Sequence, residues 1–271
     1  MKLGSAMSDD RALRQRVPGQ SAMSNVVQAQ AARPPRGPMA RLLGVSPLTV
    51  TARAHYRDAI AELEVGDTLA TLGARWDVLH DVPVGPDGLD HLVIGPAGVY
   101  AVRAVMARGL DVVVTRDSVS VGGTAAELAS IVRDDARDVE EALGLASASQ
   151  LTVKPILVVV GPRRLTIATP PHEVAVVQSA ILRSTIVNAP DALSGSEVAA
   201  LSDLAELSRT WSVASPVRQD LPQLFLDFAA IRGEVSAAYR RRIILIAVAI
   251  AAAYVVMVVA VAQLSSLVSS G

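Results

Sequence analysis

The chain has 271 residues, enough for one sizeable domain with additional segments. It contains no cysteine, which excludes disulfides and thiolate metal sites, and its 3% aromatic content argues against a base-stacking platform for single-stranded nucleic acid. The net charge of -1 is unevenly distributed, because residues 50–211 hold 13 basic and 21 acidic side chains whereas residues 1–49 hold 7 and 2. Duplex-binding domains usually carry net positive charge, so the acidic central part argues against nucleic acid as a partner.

Residues 1–45 are predicted to form a disordered basic arm. The stretch "GQSAMSNVVQAQAARPPRGP" is rich in Gly, Pro, Ser and Gln, and its apolar residues follow no sustained period. A solvated tail is the simpler interpretation, and the alternative is that its arginines contact anionic lipid headgroups. These arginines are Arg11, Arg14, Arg16, Arg33, Arg36 and Arg41.

The central residues 46–213 are predicted to form one α/β domain with a mixed sheet flanked by helices. Its first helix is expected to end at Gly73, a residue typical of C-caps, and the apolar run "VKPILVVVG" is typical of a buried central strand. A Ser cap opens the last helix. In chain order we expect helices at residues 52–73, 124–144 and 194–211, and strands at residues 76–84, 89–95, 98–105, 110–121 (a pair), 153–161 and 172–178.

The C-terminal part predicts a membrane anchor. Residues 214–239 are expected to be a juxtamembrane linker, whose second half is either a helix continuous with the next segment or a helix lying on the membrane surface. "RRR" at 240–242 precedes an uncharged apolar run, Ile243 to Leu264, which is long enough to cross a hydrocarbon core of about 30 Å. Residues 240–264 therefore predict a transmembrane helix, and residues 265–271 a short extracytoplasmic tail. The flanking arginines predict a tail-anchored protein of the cell membrane with a cytoplasmic N-terminal domain.

The central domain resembles the nuclease-related domain (NERD) family. The resemblance is carried by "GARWDVLHDVPV", by the predicted hairpin "GLDHLVIGPAGVYAVRAV" and by "LTVKPILVVVGPRRLTIATPPHEVAVVQ", in that order, and it extends over about residues 59–211. It implies a restriction-endonuclease-like α/β core.

The resemblance also implies a PD-(D/E)xK metal site, of which this chain keeps two elements out of four. In that site two carboxylates bind Mg²⁺, the metal activates water, and a lysine orients it. Glu62 falls on the glutamate of the early helix and Asp90 on the aspartate that starts the second strand, but the strand acid falls on Arg103 and the lysine on Val105. A cation thus stands where a metal ligand should be, and we expect Arg103 to occupy the metal position and pair with Asp90 or Glu62.

The histidines give no second candidate site, because none of them has metal-ligand spacing. His91 follows Asp90 directly on a predicted strand and therefore points to the opposite face. We expect structural or surface roles for His55, His80, His91 and His172.

Three functions remain open on this basis. The favoured one is a membrane-anchored, catalytically inactive nuclease-like domain that acts as an interaction or scaffold module for an unidentified protein partner. The first alternative is a metal-dependent nuclease with a relocated site, which would hold Mg²⁺ on Glu62 and Asp90 and would have to recruit Lys154, the one lysine of the domain. The second is a nucleic-acid binder that does not cleave, although the sequence shows no basic stripe. No cofactor is expected unless the first alternative holds.

Overall fold

The computed structural model describes residues 12–31, 36–148, 150–211 and 220–269. The chain divides into two compact units, one formed by Met1–Ser24 with Ala54–Arg218 and the other by Asn25–Arg53 with Gln219–Gly271. Some predictions concern residues outside this described part. They are the start of the arm, the junction of domain and linker, and the end of the tail.

Helices and strands alternate along the chain. The described strands are β1 Asp77–Val82, β2 Leu89–Gly95, β3 Gly98–Met106, β4 Asp111–Val114, β5 Val119–Val121, β6 Thr124–Ala126, β7 Val153–Val160, β8 Arg164–Ile167 and β9 Ala175–Gln178. The described α-helices are α1 Gln20–Ala31, α2 Pro38–Leu42, α3 Val50–Leu69, α4 Leu128–Ser147, α5 Ser179–Val187, α6 Gly195–Ala205 and α7 Leu221–Ser269. Short 3-10 helices lie at Ala12–Gln15 and Ser208–Thr210.

The first unit is built on a five-stranded sheet of order β1-β2-β3-β7-β9. Strands β1, β2 and β3 are antiparallel, and β2 and β3 are joined by the predicted tight turn, with Gly95 opposite Gly98. Strand β7 runs parallel to β3 and β9 runs parallel to β7. The prediction of an α/β fold with a mixed sheet flanked by helices is therefore confirmed.

A second sheet of order β6-β5-β4-β8 corrects part of the prediction. The sequence predicts the start of a helix at residues 124–126, but they form β6, which pairs with β5 across Gly122 and Gly123. Both glycines have positive φ angles, 59° and 86°, as a two-residue hairpin turn of type I′ requires. Strand β8 and helix α5 lie where no element is predicted, and β8 is short and largely exposed, which leaves little apolar pattern to detect.

Helices cover both faces of the central sheet. On one face, Ala61, Val65 and Leu69 of α3 pack with strand residues and with α5. On the other face, α4 contributes Ala136, Val139 and Leu143, and α6 contributes further side chains to the same cluster. The predicted Ser cap of α6 is present, since Ser194 and Glu197 form a reciprocal capping box. The start of β2 and the middle of β3 thus lie between α3 and α4.

The disordered arm predicted for residues 1–45 is wrong for the described part of that stretch. Residues 12–31 and 36–45 include a 3-10 helix, α1 and α2. Leu13 is fully buried in the core of the first unit, and Pro18 lies against Gly66 of α3, where an added Cβ would come within 2.4 Å of the Pro18 ring. These contacts join residues far apart in the sequence, so local composition could not indicate them.

The second unit contains α7, which runs without a break from Leu221 to Ser269. It begins after Asp220, whose Oδ1 accepts a hydrogen bond of 3.2 Å from the Gln223 backbone N–H. The described linker residues are therefore helical and continuous with the apolar run, as the first of the two interpretations predicts. Residues 221–260 of this helix are long and apolar enough to cross a membrane, and none of the most apolar 18-residue stretch is buried.

We expect Gly95→Ala to lower the free energy of unfolding by about 1–3 kcal/mol, because overpacking forces neighbouring groups to move. A Cβ at Gly95 would lie 2.1 Å from Cε3 of Trp76. The measurement is denaturant unfolding of the purified chain in mild detergent, followed by tryptophan fluorescence. Gly195→Ala is the matched control, since its Cβ would meet nothing within 4 Å. Equal stability of the two variants would contradict the described packing.

Candidate functional site

The predicted site residues Asp90 and Arg103 face each other across the β2–β3 hairpin. The register pairs His91 with Val102, and one step further along the two strands Asp90 lies opposite Arg103. Directly opposed residues of antiparallel strands project from the same face of the sheet. Their closest charged atoms, Asp90 Oδ1 and Arg103 Nη1, are 3.7 Å apart, so the predicted pairing with Asp90 is present.

The main partner of Arg103 is Asp135 of α4, which the sequence analysis did not identify. Arg103 Nε donates to Asp135 Oδ2 at 2.5 Å and Arg103 Nη2 donates to Asp135 Oδ1 at 3.0 Å. This two-point geometry is the strong form of an arginine–carboxylate pair. Arg103 Nη2 also donates to the Gly88 carbonyl at 2.6 Å, so the guanidinium is held from three sides.

Asp135 carries a signal that sequence reasoning could have used. It lies on the buried face of α4, three residues after Val132 and four before Val139, both fully buried. Residues three and four apart share one face of a helix, so a carboxylate at this position has to enter the core. Because a charge seldom enters a core unpaired, an aspartate within this apolar stripe predicts a buried cation on a neighbouring element.

Asp90 is held by the backbone as well as by Arg103. Its Oδ2 accepts a hydrogen bond of 2.7 Å from the Ala104 backbone N–H on β3. Burial raises the pKa of Asp90 to about 6, although the Arg103 charge and this hydrogen bond act to lower it. Asp90 therefore ties the start of β2 to β3, which is a structural use of the side chain.

Glu62 lies on α3, as predicted, and it is buried, with 8% of its surface exposed. Burial, together with the nearby charges of Asp90, Asp81 and Asp58, raises its pKa well above the usual range, and the charge of Arg103 acts in the opposite direction. Among the described residues, the carboxylates within 4 Å of Arg103 are those of Asp90 and Asp135. The alternative prediction, a pair of Arg103 with Glu62, is therefore wrong. We refer to Glu62, Asp81, Asp90 and Asp135 as the carboxylate cluster.

A second arginine reaches the cluster from the N-terminal segment. Arg16 Nη1 donates to the backbone carbonyl of Asp81 and lies 3.5 Å from Asp81 Oδ2. Both side chains are buried, with 8% and 11% of their surfaces exposed. Asp81 has a φ angle of 52°, a left-handed conformation that aspartate adopts more readily than most residues. Sequence reasoning misses Arg16 because the composition of its segment predicts disorder.

The two residues considered for the role of the catalytic lysine, Val105 and Lys154, make contacts outside the carboxylate cluster. Val105 is half-buried and packs against the apolar cluster formed by β4, β7 and α4. Lys154 lies at the other end of β7, where its Nζ donates to the Ala97 carbonyl at 2.9 Å and sits 5.4 Å from the centre of the Tyr100 ring. Lys154 pairs in register with Tyr100, three residues from Arg103, which corresponds to about 10 Å along a strand.

Two of the four histidines form a pair on the strands that carry Asp81 and Asp90. His80 and His91 lie opposite each other on β1 and β2, with their Nδ1 atoms 2.9 Å apart. Burial lowers the pKa of His80 to about 4 and that of His91 well below its usual value. His172 is exposed, and its Nδ1 lies 3.6 Å from Glu173 Oε2. His55 lies on α3, where it acts to lower the pKa of Asp58.

Protein groups compensate much of the charge of the carboxylate cluster. Asp135 and Asp90 share Arg103, Asp81 is paired with Arg16, and the raised pKa of Glu62 favours its neutral form. Among the described residues, no group of three or more acidic or histidine side chains is arranged to hold a metal ion.

No protein-family model matches the chain, and no curated protein or solved structure is significantly similar to it. The resemblance to the nuclease-related family therefore rests on the sequence blocks quoted above.

We expect Arg103→Met to lower the free energy of unfolding by about 3–5 kcal/mol, because it leaves Asp135 buried without its counter-charge. Double-mutant cycles should give a larger coupling energy for Arg103 with Asp135→Asn than with Asp90→Asn, in line with separations of 2.5 and 3.7 Å.

Denaturant unfolding of the four proteins in each cycle provides the measurement. Arg137→Met is the control, because Arg137 is an arginine of α4 whose side chain is 64% exposed, and such a change costs within about 0.5 kcal/mol. Strictly additive effects of the Arg103 and Asp135 substitutions would show that the pair contributes nothing.

We expect the stability of the wild type, relative to Asp90→Asn, to fall as the pH rises from about 4 to about 6. Burial raises the pKa of Asp90 from 3.8 to about 6, so in this range the folded state keeps a proton that the unfolded state has released. Raising the pH removes that proton and its stabilisation, whereas the side-chain amide of the Asp90→Asn variant does not titrate.

The comparison with the variant is needed because the histidines act in the opposite direction. The lowered pKa of His80 and His91 means that the unfolded state binds more protons, so their contribution rises with pH. That contribution is common to both proteins and cancels in the difference. Unfolding curves at a series of pH values give this difference, and a value that stays constant or increases with pH would contradict the raised pKa.

Proposed function

We propose that the chain is a membrane-anchored protein with a nuclease-like domain that has lost catalysis and serves as an interaction or scaffold module for a protein partner. In this proposal the domain has a restriction-endonuclease-like core, and the former metal site has been replaced by ion pairs. The observation that carries the proposal is the position of Arg103, whose guanidinium lies between Asp90 and Asp135.

The geometry of Arg103 supports a loss of metal binding. Mg²⁺ prefers oxygen ligands at about 2.0–2.1 Å and needs carboxylates that are free to bind it. Here the Asp135 carboxylate accepts two hydrogen bonds from Arg103, and Asp90 Oδ2 accepts one from Ala104. Arginine remains charged under all ordinary conditions, so a metal ion would have to displace a permanent cation from the site.

The arrangement of the elements supports the nuclease-like core. A helix that carries a buried acid, Glu62, precedes an antiparallel hairpin whose second strand pairs in parallel with β7. Asp90 lies at the start of the hairpin and Arg103 and Val105 lie two residues apart on its second strand, as the family pattern requires of the corresponding positions. This chain has neither the acid nor the lysine that the family pattern places at positions 103 and 105.

The C-terminal helix supports the anchor. The apolar stretch of α7 has a mean hydropathy of 3.0 and is not covered by the rest of the chain, and arginines at 240–242 stand at one end of it. A helix that is apolar on every face and exposed to water would be unfavourable, whereas lipid accommodates it. The arginines favour a cytoplasmic position for the N-terminal bulk.

The proposal predicts that Mg²⁺ and Mn²⁺ leave the melting temperature of the purified full chain unchanged and that the chain does not cleave DNA, since a ligand stabilises a protein only if it binds the folded state. The matched variant carries Arg103→Glu and Val105→Lys, with Asp135→Asn to remove the surplus carboxylate. It restores the family pattern, and we expect a Mg²⁺-dependent rise in its melting temperature.

The decisive contrary result is metal-dependent cleavage by the wild type that Asp90→Ala abolishes. That outcome would establish an active nuclease with a relocated site. Binding of DNA by the wild type without cleavage would instead favour the non-cleaving binder.

A further inference from the structure

The segment Met39–Val45 of the second unit exposes a group of large apolar side chains. It comprises the end of α2 and the three residues that follow. Exposed fractions are 64% for Met39, 63% for Leu42, 54% for Leu43 and 48% for Val45. Single exposed apolar residues are normal on soluble proteins, but four within seven residues indicate a surface that contacts an apolar phase or partner.

The Met39–Val45 segment is fixed to α7 immediately before the apolar run. Arg241 Nη1 donates to the Arg41 carbonyl at 3.0 Å. Gly44 lies so close to α7 that an added Cβ would come within 2.6 Å of the Ala238 carbonyl oxygen and 2.8 Å of the Arg242 nitrogen. The helix and the segment therefore touch backbone to backbone at this level.

Arg36 holds the segment to α7 at a second point. Its Nη2 lies 2.8 Å from Glu234 Oε2, and its Nη1 donates to the Val45 carbonyl at 2.8 Å. The same guanidinium thus connects the end of the segment to a residue two turns before Arg241.

The point at which the Met39–Val45 segment contacts α7 determines the depth of the segment relative to the apolar run. Arg241 precedes Ile243 by two residues, which is about 3 Å of helix rise. Interfacial segments bury their apolar side chains about 5–10 Å into the boundary between headgroups and acyl chains. A bilayer that begins its hydrocarbon core near Ile243 would therefore have its headgroup region at the level of Leu42 and Leu43.

The charge of the second unit fits the same surface. Residues 25–53 and 219–271 hold 8 basic and 3 acidic side chains, net +5. Arg41 belongs to the segment itself, and Arg240, Arg241 and Arg242 adjoin it. Basic residues at a membrane surface are attracted to anionic lipid headgroups.

We propose that the Met39–Val45 segment inserts into the leaflet on the arginine side of the membrane, as a second contact with anionic phospholipids beside the span. The inference rests on the proposed membrane anchor. A single span leaves α7 free to rotate about its own axis. The second contact removes this freedom, because the Met39–Val45 segment has to remain inserted in the lipid.

Labelled single-cysteine variants test this insertion, since the chain has no cysteine of its own. Leu42→Cys and Leu43→Cys are labelled with an environment-sensitive fluorophore in the full chain. The protein is then reconstituted into vesicles of phosphatidylcholine and phosphatidylglycerol, with or without a nitroxide quencher on the acyl chains. Ile250→Cys reports on the span, and Leu145→Cys, an exposed position of the first unit at 77%, is the control.

We expect a blue shift of the emission and quenching by the nitroxide lipid at Leu42 or Leu43 and at Ile250, and neither effect at Leu145. Quenching at Ile250 without quenching at Leu42 and Leu43 would overturn the inserted segment while the anchor stands. No quenching at Ile250 would overturn the anchor and the segment together. Equal quenching at Leu145 would overturn the assignment of the second contact to residues 39–45.

Discussion

The first unit depends on compensating buried carboxylates with positive charge that its own chain supplies. Glu62, Asp81, Asp90 and Asp135 come from α3, β1, β2 and α4 and interact electrostatically within one region of the fold. An ionised carboxylate without a partner is very costly to bury. Arg103 therefore does more than join two strands, because its pairs with Asp90 and Asp135 hold the hairpin against α4.

This compensation differs in kind from that of a metal site. A bound metal can exchange with solvent, take a water molecule as a ligand and lower its pKa, whereas a guanidinium is part of the chain and offers only hydrogen-bond donors. Val105, on the same strand, offers no hydrogen-bond donor and packs with apolar residues of β4, β7 and α4. Arg103 and Val105 thus both join the sheet to α4, which agrees with the proposed loss of a metal site.

Sequence reasoning succeeds where the determining contacts are local and fails where they are distant. The approach of Asp90 to Arg103 follows from the register of one short hairpin, and the long apolar helix α7 follows from a continuous run of apolar residues. Asp135 lies 32 residues from Arg103, and a search for apolar periodicity passes over a charged residue within the stripe. Arg16 escapes detection for a stronger reason: its segment has weak local preferences and is held in place by tertiary contacts such as that of Pro18 with Gly66.

The uneven distribution of charge has a different meaning when charges are counted for each folded unit. Counted along the sequence, the excess of arginine lies in an N-terminal arm, which suggests a solvated tail. The fold assigns Arg14 and Arg16 to the first unit, paired with Glu206 and Asp81, and Arg36 and Arg41 to the second. The first unit then holds 17 basic and 23 acidic side chains, net -6, and the second has a net charge of +5. An acidic globular unit disfavours a nucleic-acid backbone, while a basic unit that contains the apolar helix suits an anionic bilayer, so the charge of each unit agrees with the role proposed for it.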